Sequence, residues 1–253
     1  MKYYSELLAM GCFTREQVCA LVGNYNTAGS LLKSYLKKGY VRSVKRNLYV
    51  AVNLAGGEPA VSKFSISSMV TETASISHHT AFEYYGCANQ VSYQVEVSSE
   101  TPFTPFEFDG NTYTYFASRI KEGVVTRQDG VRVTDVERTV LDGIHDFGKV
   151  MGLEELLRCL ALVPSVNEDR LLAYLSAYGK QVLYQKTGYI LCHFRRELNL
   201  SDAFFDGCAS HIGKSTRYLT ADKSGVYDKE WRLIAPENLL GLMAKGADAD
   251  ADV

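Results

Sequence analysis

The chain is poor in the features that mark unusual environments. It holds only five prolines and one tryptophan in 253 residues. With 46% hydrophobic and 22% charged residues, a collagen-like or disordered chain is excluded. No stretch approaches the roughly 18 uncharged apolar residues that a transmembrane helix needs. Lys2-Tyr3-Tyr4-Ser5-Glu6 carries no apolar run of the kind a secretion signal requires, so no membrane association and a cytoplasmic location are expected. The six cysteines, Cys12, Cys19, Cys87, Cys159, Cys192 and Cys208, form no C-x-x-C pair. They read as buried free thiols of a reducing compartment, not as a disulfide or zinc framework. H-E-x-x-H, G-x-S-x-G and P-loop patterns are also lacking. No catalysis, no cofactor and no metal site are expected.

Net charge is small as well, at −2, but it is unevenly spread. Residues 1–53 hold eight basic residues (Lys2, Arg15, Lys33, Lys37, Lys38, Arg42, Lys45, Arg46) and two acidic ones (Glu6, Glu16), a balance of +6. The remainder holds 19 basic and 27 acidic residues, a balance of −8. Such asymmetry points to a basic module joined to a body with another task. Residues 54–59, with Gly56-Gly57 and Pro59, are the expected hinge.

The basic segment reads as three helices and a hairpin. A first helix spans residues 2–10 and stops at Gly11. Thr14 and Gln17 have capping-box spacing and open a second helix over residues 15–21. After the turn at 23–26, a third helix is capped by Asn26 or Thr27. Its residues Ala28, Leu31, Leu32, Tyr35 and Leu36 repeat at helical spacing and face inward. Thr27, Ser30, Lys33, Ser34 and Lys37 fall on the other face. Two β-rich runs, 41–44 and 48–52, flank Lys45-Arg46-Asn47. This order is that of a winged helix-turn-helix: the third helix enters the major groove and the wing grips the backbone. The expected DNA contacts are Thr27, Ser30, Lys33, Ser34 and Lys37 on the helix, with Arg42, Lys45 and Arg46 on the wing.

The segment order is similar to that of AbiEi-type antitoxins, transcriptional regulators of abortive-infection toxin–antitoxin systems in bacterial phage defence. The resemblance is carried by Phe13-Thr14-Arg15-Glu16-Gln17-Val18, Leu36-Lys37-Lys38-Gly39-Tyr40-Val41 and Arg46-Asn47-Leu48-Tyr49-Val50. It continues in Ile76-Ser77-His78-His79-Thr80-Ala81, Val133-Thr134-Asp135-Val136-Glu137-Arg138-Thr139-Val140-Leu141-Asp142, Tyr184-Gln185-Lys186-Thr187-Gly188-Tyr189-Ile190-Leu191 and Trp231-Arg232-Leu233. It implies an N-terminal module that binds double-stranded operator DNA and represses its own operon. It also implies a C-terminal domain that counteracts a nucleotidyltransferase toxin without a stable complex. The Gly-rich start of the family's wing is absent at residues 42–47.

The overall expectation is an α+β protein: a winged helix-turn-helix over 1–53, a mixed α/β antitoxin domain over 60–243, and a disordered acidic tail over 244–253. The body is expected to be strand-rich over 60–133 and mainly helical over 134–243. Strands are expected at 93–97, 106–108, 113–116 and 131–133, with Asp109-Gly110 as a hairpin turn. Ser77 opens one helix. Thr134 and Glu137 open another by capping-box spacing, and further helices follow at 153–162, 169–178 and 185–198. A late strand pair is expected at 218–219 and 231–234. Arg195, Arg196, Lys214 and Arg217 are possible secondary nucleic-acid contacts. His78-His79 reads as a packed helix start, since adjacent helical residues point apart. Arg138 and Asp142, four apart, read as an ion pair beside Asp135 and Glu137. Two alternatives remain: a module that sequesters a toxin by direct contact, and a metal-dependent nuclease using Glu96 with Glu83 and Asp109.

Overall fold

The computed structural model describes residues 2–245. The acidic repeat at 246–253 lies outside them. The chain is mixed α and β and folds as two compact units. The first takes described residues from 1–76, 93–117 and 126–133, and the second from 77–92, 118–125 and 134–253.

The chain begins with α1 (Tyr4–Met10), β1 (Cys12–Thr14), α2 (Arg15–Val22), α3 (Tyr25–Lys37), β2 (Val41–Lys45), β3 (Leu48–Ala51), α4 (Lys63–Ser67) and β4 (Ser75–Ile76). The capping box at Thr14 is formed as its spacing predicts: the Gln17 amide donates to the Thr14 hydroxyl, and the Thr14 amide to the Gln17 side chain. The cap of α3 is Asn24, two or three residues earlier than expected, with its side chain accepting from the Thr27 amide. Asn24 holds extended backbone just past Gly23, whose left-handed φ of 76° ends α2. β1 pairs antiparallel with β3, and β3 with β2, giving a sheet of order β1-β3-β2.

Period-two alternation gives this small sheet two apolar faces. Phe13, Val41 and Ala51 join Leu7, Val18, Ala28, Leu32 and Tyr35 in one core with the helices. Cys12, Val44, Leu48 and Val50 face the other way. They share a second core with Ile66, Val95, Val97, Phe108 and Tyr113. Residues 1–53 are therefore not a separate domain, a difference from the partition that charge alone predicts. Residues 54–59 form a turn rather than a hinge. The Asn53 amide donates to the Glu58 carbonyl, the Gly57 amide to the Asn53 carbonyl, and Val52 bridges Pro59.

Further on come α5 (His78–Tyr84), β5 (Gln94–Ser99), β6 (Phe106–Phe108), β7 (Asn111–Ala117), β8 (Val124–Thr126) and β9 (Arg132–Thr134). The larger sheet has the order β6-β7-β5-β4-β9-β8. Asp109 and Gly110, at φ 53° and 75°, make the tight β6–β7 turn that their sequence signals. β5 lies inside the sheet, and Val95 to Ser99 are all buried rather than alternating.

The second unit is mainly helical: α6 (Val136–Asp146), α7 (Gly152–Leu162), α8 (Glu168–Tyr178), α9 (Gln181–Cys192), α10 (Asp202–Ser210) and α11 (Gly241–Lys245), with strands β10 (Arg217–Tyr218), β11 (Val226–Asp228) and β12 (Leu233–Ala235). The helix expected at 185–198 starts four residues earlier and stops at Cys192. Helix α11 takes residues 244 and 245 out of the expected tail. Asp135, not Thr134, caps α6 by accepting from the Arg138 amide, while Glu137 accepts from the Asn167 amide of the next connection. Gly188 of α9 leaves room for the ring of Trp231: a Cβ there would stand 2.0 Å from a ring carbon. All six cysteines are free. Cys12, Cys87, Cys159 and Cys208 are buried, whereas Cys19 is half-buried and Cys192 exposed.

Candidate nucleic-acid interface

Helix α3 is an amphipathic rod with its apolar stripe spent on the first core. Ala28, Leu32 and Tyr35 are buried, Leu31 is half-buried, and Leu36, expected inside, is 38% exposed. The opposite face carries Thr27, Ser30, Lys33 and Lys37 to solvent, with Ser34 half-buried. Thr27 is partly committed, because its amide and hydroxyl both donate to the Asn24 cap.

An open groove of about 680 Å3 runs beside this face, lined by Arg15, Asn26, Gly29, Ser30, Lys33 and Leu36 among others. Arg15, the first residue of α2, belongs to it. Its guanidinium lies 3.9 Å from the centroid of the Tyr25 ring, a cation–π contact, and its Nε has no hydrogen-bond partner. Gly29 permits this crossing, since a Cβ at that position would stand 2.7 Å from an Arg15 guanidinium nitrogen. Arg15 is the functional candidate that sequence reasoning misses. Its signal is a basic residue directly after the Thr14 cap, with Tyr25 and Gly29 four residues apart on the facing helix.

The β2–β3 hairpin divides into free and committed cations. Arg42 pairs with Asp109 at 2.7 Å and lies 4.7 Å from the Phe108 ring centroid. Lys45 is half-buried: Nζ donates to the Val70 carbonyl at 2.8 Å and sits over the rings of Phe103 and Phe106. Burial lowers its pKa below the usual lysine value. These two expected DNA contacts are engaged within the first unit, because β2 packs toward the larger sheet. Arg46 is exposed at the tip. Beside it, Asn47 holds a left-handed φ of 63°, accepts from the Arg15 amide and donates to Glu16. That donation, ahead of smaller backbone contributions, lowers the Glu16 pKa. The tip of the β2–β3 hairpin is thus tied to the start of α2. Among the described residues no carboxylate forms an ion pair with Arg15, Lys33, Lys37 or Arg46.

The secondary basic positions lie in the second unit. Arg195 pairs with Asp202 and stacks over Phe205, whereas Arg196, Lys214 and Arg217 are exposed. His78 and His79 diverge as adjacent helical residues should: His78 Nε2 lies 3.6 Å from Asp146, and His79 Nε2 lies 3.2 Å from Glu155. His78 Nδ1 meets the Ser77 hydroxyl at 2.8 Å, both groups being buried. Glu96 is buried in β5, and Asp109 holds Arg42. Glu83, Glu96 and Asp109 do not converge into a ligand group among the described residues.

The Arg138–Asp142 pair is formed and is buried. Nε donates to both carboxylate oxygens at 3.0 and 3.1 Å, and the other end donates to the carbonyls of Ile120 and Glu122. Tyr178 donates to the same carboxylate. The pair therefore locks α6 to the 120–122 connection. Asp146, at the end of α6, gathers His78, Arg119, His145 and Lys149. Burial pushes its carboxyl up, but hydrogen bonds from His145, His78 and Lys149 outweigh that and hold it well below the usual carboxylate range.

No family model matches the chain. No curated protein sequence matches it. Its structure is similar to that of the RV2827C protein from Mycobacterium tuberculosis, with a TM-score of 0.65 and 13% sequence identity over 98% of this chain and 94% of that one. At that identity the likeness concerns the fold. No helix of the described residues is long and apolar enough to cross a membrane.

Proposed function

We propose that α1 to β3 form a winged helix-turn-helix that binds double-stranded DNA, and that the chain is an autorepressing antitoxin of the AbiEi kind. The observation that carries this reading is the solvent face of α3. Ser30, Lys33 and Lys37 stand there beside the Arg15 groove, without carboxylates to neutralise them. Cations on one helix face replace condensed counterions along phosphate, and small residues between them let the helix approach base edges. Arg46 on the anchored wing tip adds a backbone contact. Arg42 and Lys45 set the angle of the wing rather than touch DNA. The second unit carries the antitoxic function, opposing a nucleotidyltransferase toxin.

A reporter fused to the chain's own upstream region, together with a toxin-rescue assay, tests both halves. The full chain carrying Lys33→Ala and Lys37→Ala is expected to lose repression while still rescuing cells. Retained repression overturns the DNA-binding assignment. Loss of rescue in step with repression overturns the division of labour.

A further inference from the structure

Two helices of the second unit bring together three side chains of different chemistry. His79 is the second residue of α5, and Glu155 and Cys159 are one turn apart on α7. Their ligand atoms all lie within 4.8 Å of one another. His79 Nε2 is 3.2 Å and Cys159 Sγ 3.7 Å from the same oxygen, Oε1 of Glu155. The imidazole and the carboxylate side chains are 6% and 13% exposed, and Cys159 is fully buried. The second carboxylate oxygen, Oε2, is buried without a hydrogen-bond partner, and the Arg158 guanidinium lies 3.8 Å from it.

We infer that His79, Glu155 and Cys159 form a binding site for a divalent zinc-like cation that staples α5 to α7. The donor set of imidazole nitrogen, carboxylate oxygen and thiolate sulfur is that of a borderline-soft metal, and not of calcium or magnesium. Bonds of about 2.0 to 2.3 Å at tetrahedral angles place neighbouring ligand atoms about 3.3 to 3.6 Å apart; the two distances to Glu155 Oε1 are 3.2 and 3.7 Å, and the remaining pair lies within 4.8 Å. Three protein ligands leave one position for water. Binding turns the Cys159 thiol into a thiolate with release of one proton, and shifts the His79 proton from Nε2 to Nδ1, freeing the Nε2 lone pair. This site departs from the sequence expectation of no metal. Its ligands are 76 and 80 residues apart, in no recognised spacing, and only the packing of α5 on α7 assembles them.

The test uses the full chain. After incubation with zinc chloride and removal of free metal, elemental analysis is expected to find about one zinc per chain. Cobalt(II) is expected to give a thiolate-to-metal charge-transfer band. Zinc is expected to raise the thermal midpoint by mass action, in proportion to the logarithm of its concentration. Cys159→Ser should remove the band. His79→Gln, which can still donate to Glu155 and so keeps the packing, should weaken zinc binding by more than about 100-fold, beyond the usual effect of outer-shell changes. Folded wild-type protein with neither stoichiometric zinc nor a charge-transfer band overturns the inference. So do variants that bind zinc as the wild type does.

Discussion

Excising residues 1–53 is the perturbation that separates a free-standing DNA-binding domain from the architecture described above. The cut would leave the helix-facing core of Leu7, Phe13, Val18, Leu32 and Tyr35 intact. It would strip Val44, Leu48 and Val50, which are 6%, 2% and 0% exposed, of their partners Val95, Val97, Phe108 and Tyr113. Exposing a Val or Leu side chain costs about 1.5–3 kcal/mol, so three of them cost about 5–9 kcal/mol. A domain of this length has a stability of only about 3–8 kcal/mol. The fragment is therefore expected to be unfolded or self-associated, with a collapsed amide spectrum and no cooperative melt. The full chain with Leu48→Ala should remain folded and lose about 2–5 kcal/mol in urea unfolding, as a buried leucine should. A well-dispersed spectrum and a cooperative transition for the isolated fragment would refute the shared-core argument.

Other outcomes follow from the second unit. Arg138→Met leaves Asp142 buried without its cation and two carbonyls without a donor, and should cost about 3–5 kcal/mol. The lone Trp231 reports unfolding of that unit, and a loss under about 1 kcal/mol would place the pair with ordinary exposed helix pairs. Gly188→Ala forces a methyl into the Trp231 ring and should cost about 1–3 kcal/mol; an unchanged melting point would contradict that packing. The depressed pKa of Asp146 contributes stability that is complete above the unfolded-state value of about 4 and is lost as pH falls below it. Asp146→Asn should therefore be destabilised at pH 7 and show a shallower loss between about pH 4 and 2, and an acid slope equal to that of the wild type would remove Asp146 from this account.

Much of the basic segment is legible because its signals are local. A Thr-x-x-Gln cap, glycines at 11, 23 and 39, and a helical apolar stripe locate α1 to α3 to within two or three residues. The Asp109-Gly110 turn is legible for the same reason. What escapes is long-range. Cys12 to Thr14 is too short to announce a strand, and it becomes one only by pairing with β3. The commitment of Arg42 to Asp109, 67 positions away, has no signal in either residue's neighbourhood. The alternation of Cys12, Val44, Leu48 and Val50 marks a second apolar face, yet a sequence cannot say what covers it. Charge asymmetry places a boundary at 53 because charge follows the surface, whereas unit boundaries follow the core. Helix α10 is missed because Asp202 to Ser210 is short and its apolar residues, Phe204, Phe205 and Cys208, resemble a loop cluster.

The central claim, that α3 and the wing tip grip DNA, is tested most directly by the salt dependence of binding. Fluorescence anisotropy with a duplex from the chain's own upstream region would be followed from about 50 to 200 mM salt. Four free cations, Arg15, Lys33, Lys37 and Arg46, predict a log–log slope near −3.6, at about 0.9 per phosphate contact. The Lys33→Ala, Lys37→Ala chain should fall to about −1.8, while Arg42→Ala should leave the slope unchanged. No binding to that duplex, or a slope that is lost with Arg42 and kept without Lys33 and Lys37, would contradict the account.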